Sequence, residues 1–312
     1  MRIRSRAVSA CIVIILAATL SACSQFASLK ARKVLKDANS SYQSANYKEA
    51  VVRYEEVIAN DPSQVVVYFY LANSYDNLFK PGKGGEAPDP ALLKKAIVNY
   101  KLAAERSAEP AMKKLALQYL VAAYRDKLDD AEQAIPLVQQ MIQIDPSDTT
   151  SYFALERIYE DFGNLDEAEA VLLKAKEAQP KQSAVYQQLA GYYQRQGEFP
   201  KLIEAVQQRA TIEPNNPEAH YSIATYYWDE AYRNTRLSEA QKREYAANGL
   251  TEIDKALGIK PEYVEAIVYK GLLLRIQAAI EKDPAKQKDL LQRANALQQQ
   301  AVDLKNKQAA GV

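Results

Sequence analysis

The sequence predicts an all-α protein, a solenoid of about seven stacked helix-turn-helix pairs, and three observations carry that prediction. Prolines that close apolar stretches recur at a fixed interval: Pro146, Pro180 and Pro214 each stand 34 residues apart. Backbone breakers are scarce, with 10 Gly and 13 Pro in 312 residues, whereas Ala, Leu, Gln, Glu and Lys are common, which favours helix. Tyr occurs 21 times against 6 Phe and a single Trp, Trp228, and the tyrosines return at repeating places within the beat. With 48% hydrophobic and 25% charged residues, a packed body is expected rather than disorder.

The chain begins with a segment that reads as an address. Three arginines lie within the first six residues, an apolar run follows from Ala7 to Leu20, and small residues lead to Cys23. That is the three-part pattern of a secretory signal, here residues 1–22. The run falls short of the ~20 apolar residues that a transmembrane helix needs. Leu20-Ser21-Ala22-Cys23 resembles the bacterial lipobox. The resemblance implies a diacylglycerol on the Cys23 thiol, cleavage before Cys23, and acylation of the freed amine. Each buried CH₂ of such chains contributes about 0.8 kcal/mol, so several chains on one residue anchor durably. Cys11 leaves with the signal, and the lone Cys23 can form no internal disulfide. Ser24 stands where enterobacterial lipoproteins retained in the inner membrane carry Asp, so the resemblance points to the outer membrane, facing the periplasm. Residues 23–29 are then the lipidated Cys and a short linker.

Removal of Arg2, Arg4 and Arg6 leaves 37 basic against 39 acidic residues, a balance of −2 in place of +1. Nucleic acid is excluded as a partner, because it requires a concentrated basic field.

Self-comparison gives the next element. Aligned on their closing prolines, the two units ending at Pro180 and Pro214 match Tyr152 with Tyr186, Leu155 with Leu189, Tyr159 with Tyr193 and Gly163 with Gly197. Apolar residues at spacings of three and four put one face on each of two helices. The Gly suits the left-handed turn between them, and the Pro ends the second. These residues resemble the tetratricopeptide repeat family. Counting Thr149 as position 1 puts Tyr152 at 4, Tyr159 at 11, Gly163 at 15, Ala168 at 20, Ala175 at 27 and Pro180 at 32. The following unit departs at two small positions, with Leu202 and Arg209, which predicts looser packing there. The resemblance implies a right-handed α-solenoid of tetratricopeptide-like repeats.

The beat extends over residues 30–306. Tyr47, Ala50, Tyr54 and Pro62 belong to a first repeat, and Tyr68, Leu71, Ala72 and Tyr75 open a second. A third ends at Ala134 and Pro146, with a poorer first helix around Tyr119. A sixth runs from His220 to Pro261, and a seventh, degenerate pair continues from about Val264. Two insertions interrupt it: the Gly/Pro-rich stretch 80–90, and 229–248, which reads as a partner contact or a solvated helix extension. Residues 307–312 read as a disordered tail.

In the family, positions 2, 5, 9 and 12 of the first helices line a concave groove. By that resemblance the groove residues are Phe69, Asn73, Tyr119, Phe153, Tyr221 and Trp228, a ladder of aromatics interrupted by Gln187. Aromatic side chains dominate binding hot spots because they offer rigid area at low entropic cost. The alternative is that they pack on neighbouring helices. Asn73 has no Lys at position 5 beside it, which argues against the family's carboxylate clamp for chaperone tails.

Chemistry has few candidates. His220, the single histidine, falls at the core aromatic position 4 and is expected to be packed. No HExxH, GxSxG or phosphate loop occurs, and GKGG at 82–85 lacks P-loop spacing. Carboxylates such as Asp129, Asp130 and Glu132 are expected on solvated helix faces. The reading is a non-enzyme with no cofactor and no metal: a lipid-anchored scaffold that binds protein partners in the cell envelope. It looks like the repeat lipoproteins that serve β-barrel assembly, type IV pilus secretin assembly (a pilotin-like role) or recruitment of peptidoglycan-remodelling enzymes. A glycan- or small-ligand-binding solenoid is the alternative.

Overall fold

The structure, a computed structural model, describes residues 29–80 and 87–309. The signal segment, Cys23, most of the 80–90 insertion and residues 310–312 lie outside the described residues. Fourteen α-helices and no strand occur among those described. They fall into two compact units that meet in sequence at Asn164 and Leu165.

The first unit holds α1 (29–43), α2 (Tyr47–Asn60), α3 (Val65–Leu78), α4 (Pro90–Arg106), α5 (Pro110–Ala122), α6 (Ala131–Ile144) and α7 (Thr149–Asp161). The second holds α8 (Leu165–Ala178), α9 (Ser183–Gln196), α10 (Phe199–Ile212), α11 (Pro217–Arg233), α12 (Glu239–Ile259), α13 (Val264–Ile280) and α14 (Pro284–Ala309). From α2 to α7, and from α8 to α14, each helix packs on the next. This is the nearest-neighbour construction that the 34-residue beat requires, because one pair cannot bury its apolar stripe alone.

Three devices recur at fixed positions. The first is a left-handed residue at repeat position 15. Gly163 (φ 76°) and Gly197 (φ 72°) fill it as expected, and Ala45 (φ 56°) and Asp129 (φ 54°) take the same place in repeats that lack Gly. Asp129 is therefore a turn residue and not part of a solvated helix face. It follows a single π-type turn, Ala123–Lys127, and the Asp130 amide donates to the Tyr124 carbonyl at 2.9 Å. Asp130 in turn caps α6 by accepting from the Gln133 amide at 3.1 Å. Such a cap contributes about 1 kcal/mol.

The second device is a small residue at position 20. Ala50, Ala96, Ala134 and Ala168 are fully buried there. Gly249 holds the position in the sixth repeat, where a Cβ would meet Leu273 Cδ2 at 2.8 Å, so any larger residue would displace the Leu273 side chain of α13. Leu202 in the fifth repeat is nonetheless buried, at 4% exposure. Arg209, at position 27 of that repeat, is mostly buried, and its Nε lies 3.5 Å from Glu213 Oε2. Leu202 is thus taken into the packing of α10, whereas the Arg209 Nε is buried without a hydrogen-bond partner among the described residues.

The third is a latch at position 4. The hydroxyls of Tyr68, Tyr152 and Tyr186 donate to the carbonyls of Pro62, Pro146 and Pro180 at 3.3, 3.2 and 2.8 Å. His220 replaces tyrosine in the sixth repeat. Its Nε2 lies 3.4 Å from the Pro214 carbonyl and its Nδ1 lies 2.8 Å from Glu252 Oε2. It is packed, as its register predicts.

Segment 229–248 is helical on both sides of a turn at 234–238. It lengthens α11 to 17 residues and α12 to 21, joined across 234–238, with Ala231 and Ala246 buried between neighbours. Ser238 starts α12 with a capping box: the Gln241 amide donates to Ser238 Oγ at 3.2 Å, and the Ser238 amide donates to Gln241 Oε1 at 3.0 Å. Residues 307–309, expected in a disordered tail, belong to α14. α14 continues through Lys307 to Ala309, because its run of Lys, Gln, Ala and Leu has no breaker.

Candidate functional site

The six predicted groove residues fall into two environments. In the first unit, Phe69 and Asn73 on α3 are both 6% exposed and serve the packing. The Phe69 ring contacts Tyr100 at 5.7 Å and Tyr119 edge-on at 5.2 Å. Asn73 Oδ1 accepts from the Tyr42 hydroxyl at 2.6 Å and from Asn77 Nδ2 at 2.8 Å, while its Nδ2 donates to the Tyr100 hydroxyl at 3.2 Å. Its oxygen accepts two hydrogen bonds, and burial withholds the side chain from the surface. Tyr119 on α5 remains partly exposed, and Phe153 on α7 is half-buried. Phe69 and Asn73 therefore belong to the interior between α3, α4 and α5.

In the second unit the picture differs. Tyr221 and Trp228 share a face of α11, seven residues apart, and both are half-buried. Tyr269 of α13 joins them, its ring 5.4 Å from Tyr221 and 5.3 Å from Trp228, edge-on to each. Tyr263, just before α13, lies 5.1 Å from Tyr221. Tyr232 stacks on Trp228 at 5.1 Å with an interplanar angle of 9°, and is itself 63% exposed. Five rings thus form one continuous line. Edge-to-face and offset contacts of this kind each add about 0.5–1.5 kcal/mol beyond burial, which fixes the line in place.

Two grooves run beside it. One of about 610 Å³ is bounded by Tyr221, Val268, Tyr269, Leu272 and Arg275 together with Ala301, Val302 and Lys305 of α14. Another of about 490 Å³ is bounded by Trp228, Tyr232, Lys242, Ile276 and Ile280. Leu272 and Arg275 line both. Arg275 Nη2 donates to Asn295 Oδ1 at 2.7 Å and to Gln298 Oε1 at 3.0 Å, so neutral acceptors on α14 orient the guanidinium without neutralising it. Two of the phenols, Tyr221 and Tyr263, are shifted upward. Burial, with Tyr269 alongside, pushes Tyr221 up to about 12. Burial and a hydrogen bond to Glu218 push Tyr263 up as well.

Sequence reasoning missed Tyr232, Tyr269 and Arg275. The signal was present for one of them. Counting Val264 as position 1 of the seventh repeat puts Glu265, Val268, Leu272 and Arg275 at positions 2, 5, 9 and 12, and all four line the larger groove. Among the described residues no group of three His, Cys, Asp or Glu could hold a metal ion, and no helix is long and apolar enough to cross a membrane.

An all-α stack of helix pairs with an accessible aromatic line defines a helical-repeat protein. Residues 127–191 match the tetratricopeptide repeat family model. The C-terminal part of a repeat protein of that name from Cytophaga hutchinsonii superposes with a TM-score of 0.51 at 16% identity, over 86% of this chain and 98% of that one. The MamA protein gives 0.43 at 18% identity, over 63% and 94%. YrrB, described as a repeat protein with an unusual peptide-binding site, gives 0.34 at 18% identity, over 75% and 88%. No curated protein sequence matches the chain. Residues 127–191 thus carry tetratricopeptide repeat sequence, and the fold around them is that of a helical-repeat protein.

Proposed function

We propose that this chain is a non-catalytic scaffold that binds a partner polypeptide across the aromatic face of α11 and α13. The observation that carries this reading is the unbroken line of five rings bordering two grooves, ending at the exposed Tyr232. A rigid aromatic line beside apolar concavities is what a binding hot spot requires. We further propose that a lipid on Cys23 holds the scaffold in a bacterial envelope, at the outer membrane facing the periplasm, where it serves assembly of a larger complex. The signal-like segment 1–22 and the lipobox resemblance support the anchor.

A photo-cross-linking amino acid at Tyr232 tests the binding face, with Val52, exposed on α2 of the other unit, as control. The reading expects a protein adduct from position 232 that is absent from 52 and lost with Trp228→Ala. Equal adducts from both positions would reject it. Mass spectrometry of the mature N-terminal peptide, beside Cys23→Ser, tests the anchor: an acylated Cys23 supports it and an unmodified thiol rejects it.

A further inference from the structure

The charge of the aromatic face has a direction, and from it the chemistry of the occupant can be read; this rests on the binding face proposed above. Lys270 pairs with Asp254, and Arg243 with Glu281. Lys242, Arg275 and Lys305, which border the grooves, have no carboxylate partner among the described residues. One acid, Glu265, stands against these three cations. Arg275 is half-buried, pinned by Asn295 and Gln298, and retains donors that those two contacts leave unused. An orientated guanidinium with a free edge is suited to a carboxylate. Its position matters as much as its charge. Arg275 lines both grooves, so apolar surface extends from it in two directions: toward Val268, Tyr269 and Val302, and toward Trp228, Ile276 and Ile280. A carboxylate at the end of a chain would fill one groove only.

We propose that this face binds a polypeptide segment in which an internal Asp or Glu is flanked on both sides by large apolar side chains. The carboxylate meets Arg275, and the flanking side chains occupy the two grooves.

Trp228, the single Trp of the chain, reports on occupancy directly. The probes are the terminally blocked peptide acetyl-Gly-Leu-Phe-Asp-Leu-Phe-Gly-amide, its counterpart with Asn for Asp, and Gly-Leu-Phe-Gly with a free C-terminal carboxylate. The proposal expects the Asp peptide to bind about tenfold more tightly than the Asn peptide, with the difference shrinking as salt rises. Arg275→Gln should bring the Asp and Asn peptides to equal affinity. Lys242→Gln with Lys305→Gln, at positions outside the core, should halve it or more without altering the fold. Equal binding of Asp and Asn peptides, tighter binding of the free-carboxylate peptide, or silence of Trp228 toward all three would overturn the proposal. If the Tyr232 cross-link to a partner survives in Arg275→Gln while the peptides fail, the scaffold reading stands and the acidic-segment inference falls. Absence of any Trp228-dependent cross-link from position 232 in the parent protein would remove both.

Discussion

The Tyr186 hydroxyl donates a hydrogen bond to the Pro180 carbonyl at 2.8 Å, tying the first helix of one repeat to the residue that ended the repeat before it. Tyr152 and Pro146 repeat the relationship in the other unit at 3.2 Å. The two rings are 4% and 6% exposed, so each hydroxyl and carbonyl would lose its main partner if the bond were absent. Tyr186→Phe and Tyr152→Phe should each cost about 1 kcal/mol, the net value of a hydrogen bond of this kind. The two latches share no partner, so the double variant should show the sum of the two losses. Urea unfolding midpoints check this. A loss below about 0.3 kcal/mol for both would show that the ring alone, and not its hydroxyl, is what position 4 requires.

Ala45 adopts φ 56° where Gly163 and Gly197 adopt 76° and 72°. An L-residue with a Cβ costs about 1–2 kcal/mol in this region, and Gly returns about 0.5–1 of that through its larger unfolded-state entropy. Ala45→Gly should therefore stabilise by about 0.5–1 kcal/mol. Gly197→Ala is the converse experiment. A Cβ there meets nothing within 4 Å, so its predicted destabilisation of about 1 kcal/mol reports backbone conformation alone. Thermal melts of both variants should move in opposite directions.

The same turn shows what the sequence revealed and what it hid. Where Gly stands at position 15, the helix boundary, its cap and the next helix are all readable, and the 34-residue register places the small residues and the tyrosine latches. Where Ala45 or Asp129 stands there, the turn leaves no compositional mark, because tertiary packing holds an L-residue in a conformation it disfavours. The binding ladder was half legible for a related reason. Position 5 places Phe69 and Tyr221 equivalently, yet Phe69 meets Tyr100 and Tyr119 from the next helices and disappears into the interior, whereas Tyr221 meets Tyr269 at the edge of a groove. Register fixes the direction of a side chain on its own helix. Whether a neighbour covers it depends on long-range size matching, which one sequence does not display.

Lys114 Nζ lies 2.7 Å from Asp148 Oδ2, with the two side chains 18% and 19% exposed. Burial works to raise the Asp148 carboxyl, but hydrogen bonds from Lys114, Ser151 and the Thr150 amide outweigh it and hold the group well below the usual carboxylate range. A carboxyl depressed in the folded state stabilises fully above its unfolded value of about 4, and that contribution is lost as pH falls toward the folded value. Asp148→Asn keeps an oxygen for the α7 cap and removes the charge. The variant should be about 1–2 kcal/mol less stable than the parent at pH 7, with the gap closing between about pH 4 and pH 2. Denaturant midpoints at a series of pH values check it. A gap that stays constant across that range would assign the cost to packing instead of charge.

Tyr232 covers one face of Trp228, and Tyr269 meets the same indole edge-on. Tyr232 is 63% exposed and lies beyond the tightly packed part of α11, so its removal should leave the core intact. Tyr232→Ala is predicted to change stability by no more than about 0.5 kcal/mol. It should move the emission of the single Trp to longer wavelength, because water gains the indole face that the phenol covered. Tyr269→Ala removes a ring contacting both Tyr221 and Trp228 and should cost about 2–3 kcal/mol as well as shifting the emission. If the line of rings is the binding surface, Tyr232→Ala should weaken capture of the partner by tenfold or more, on the order of 1.4 kcal/mol, while the melt is unchanged. Unchanged capture with the emission shift present would show that the indole face was opened and was not part of the contact.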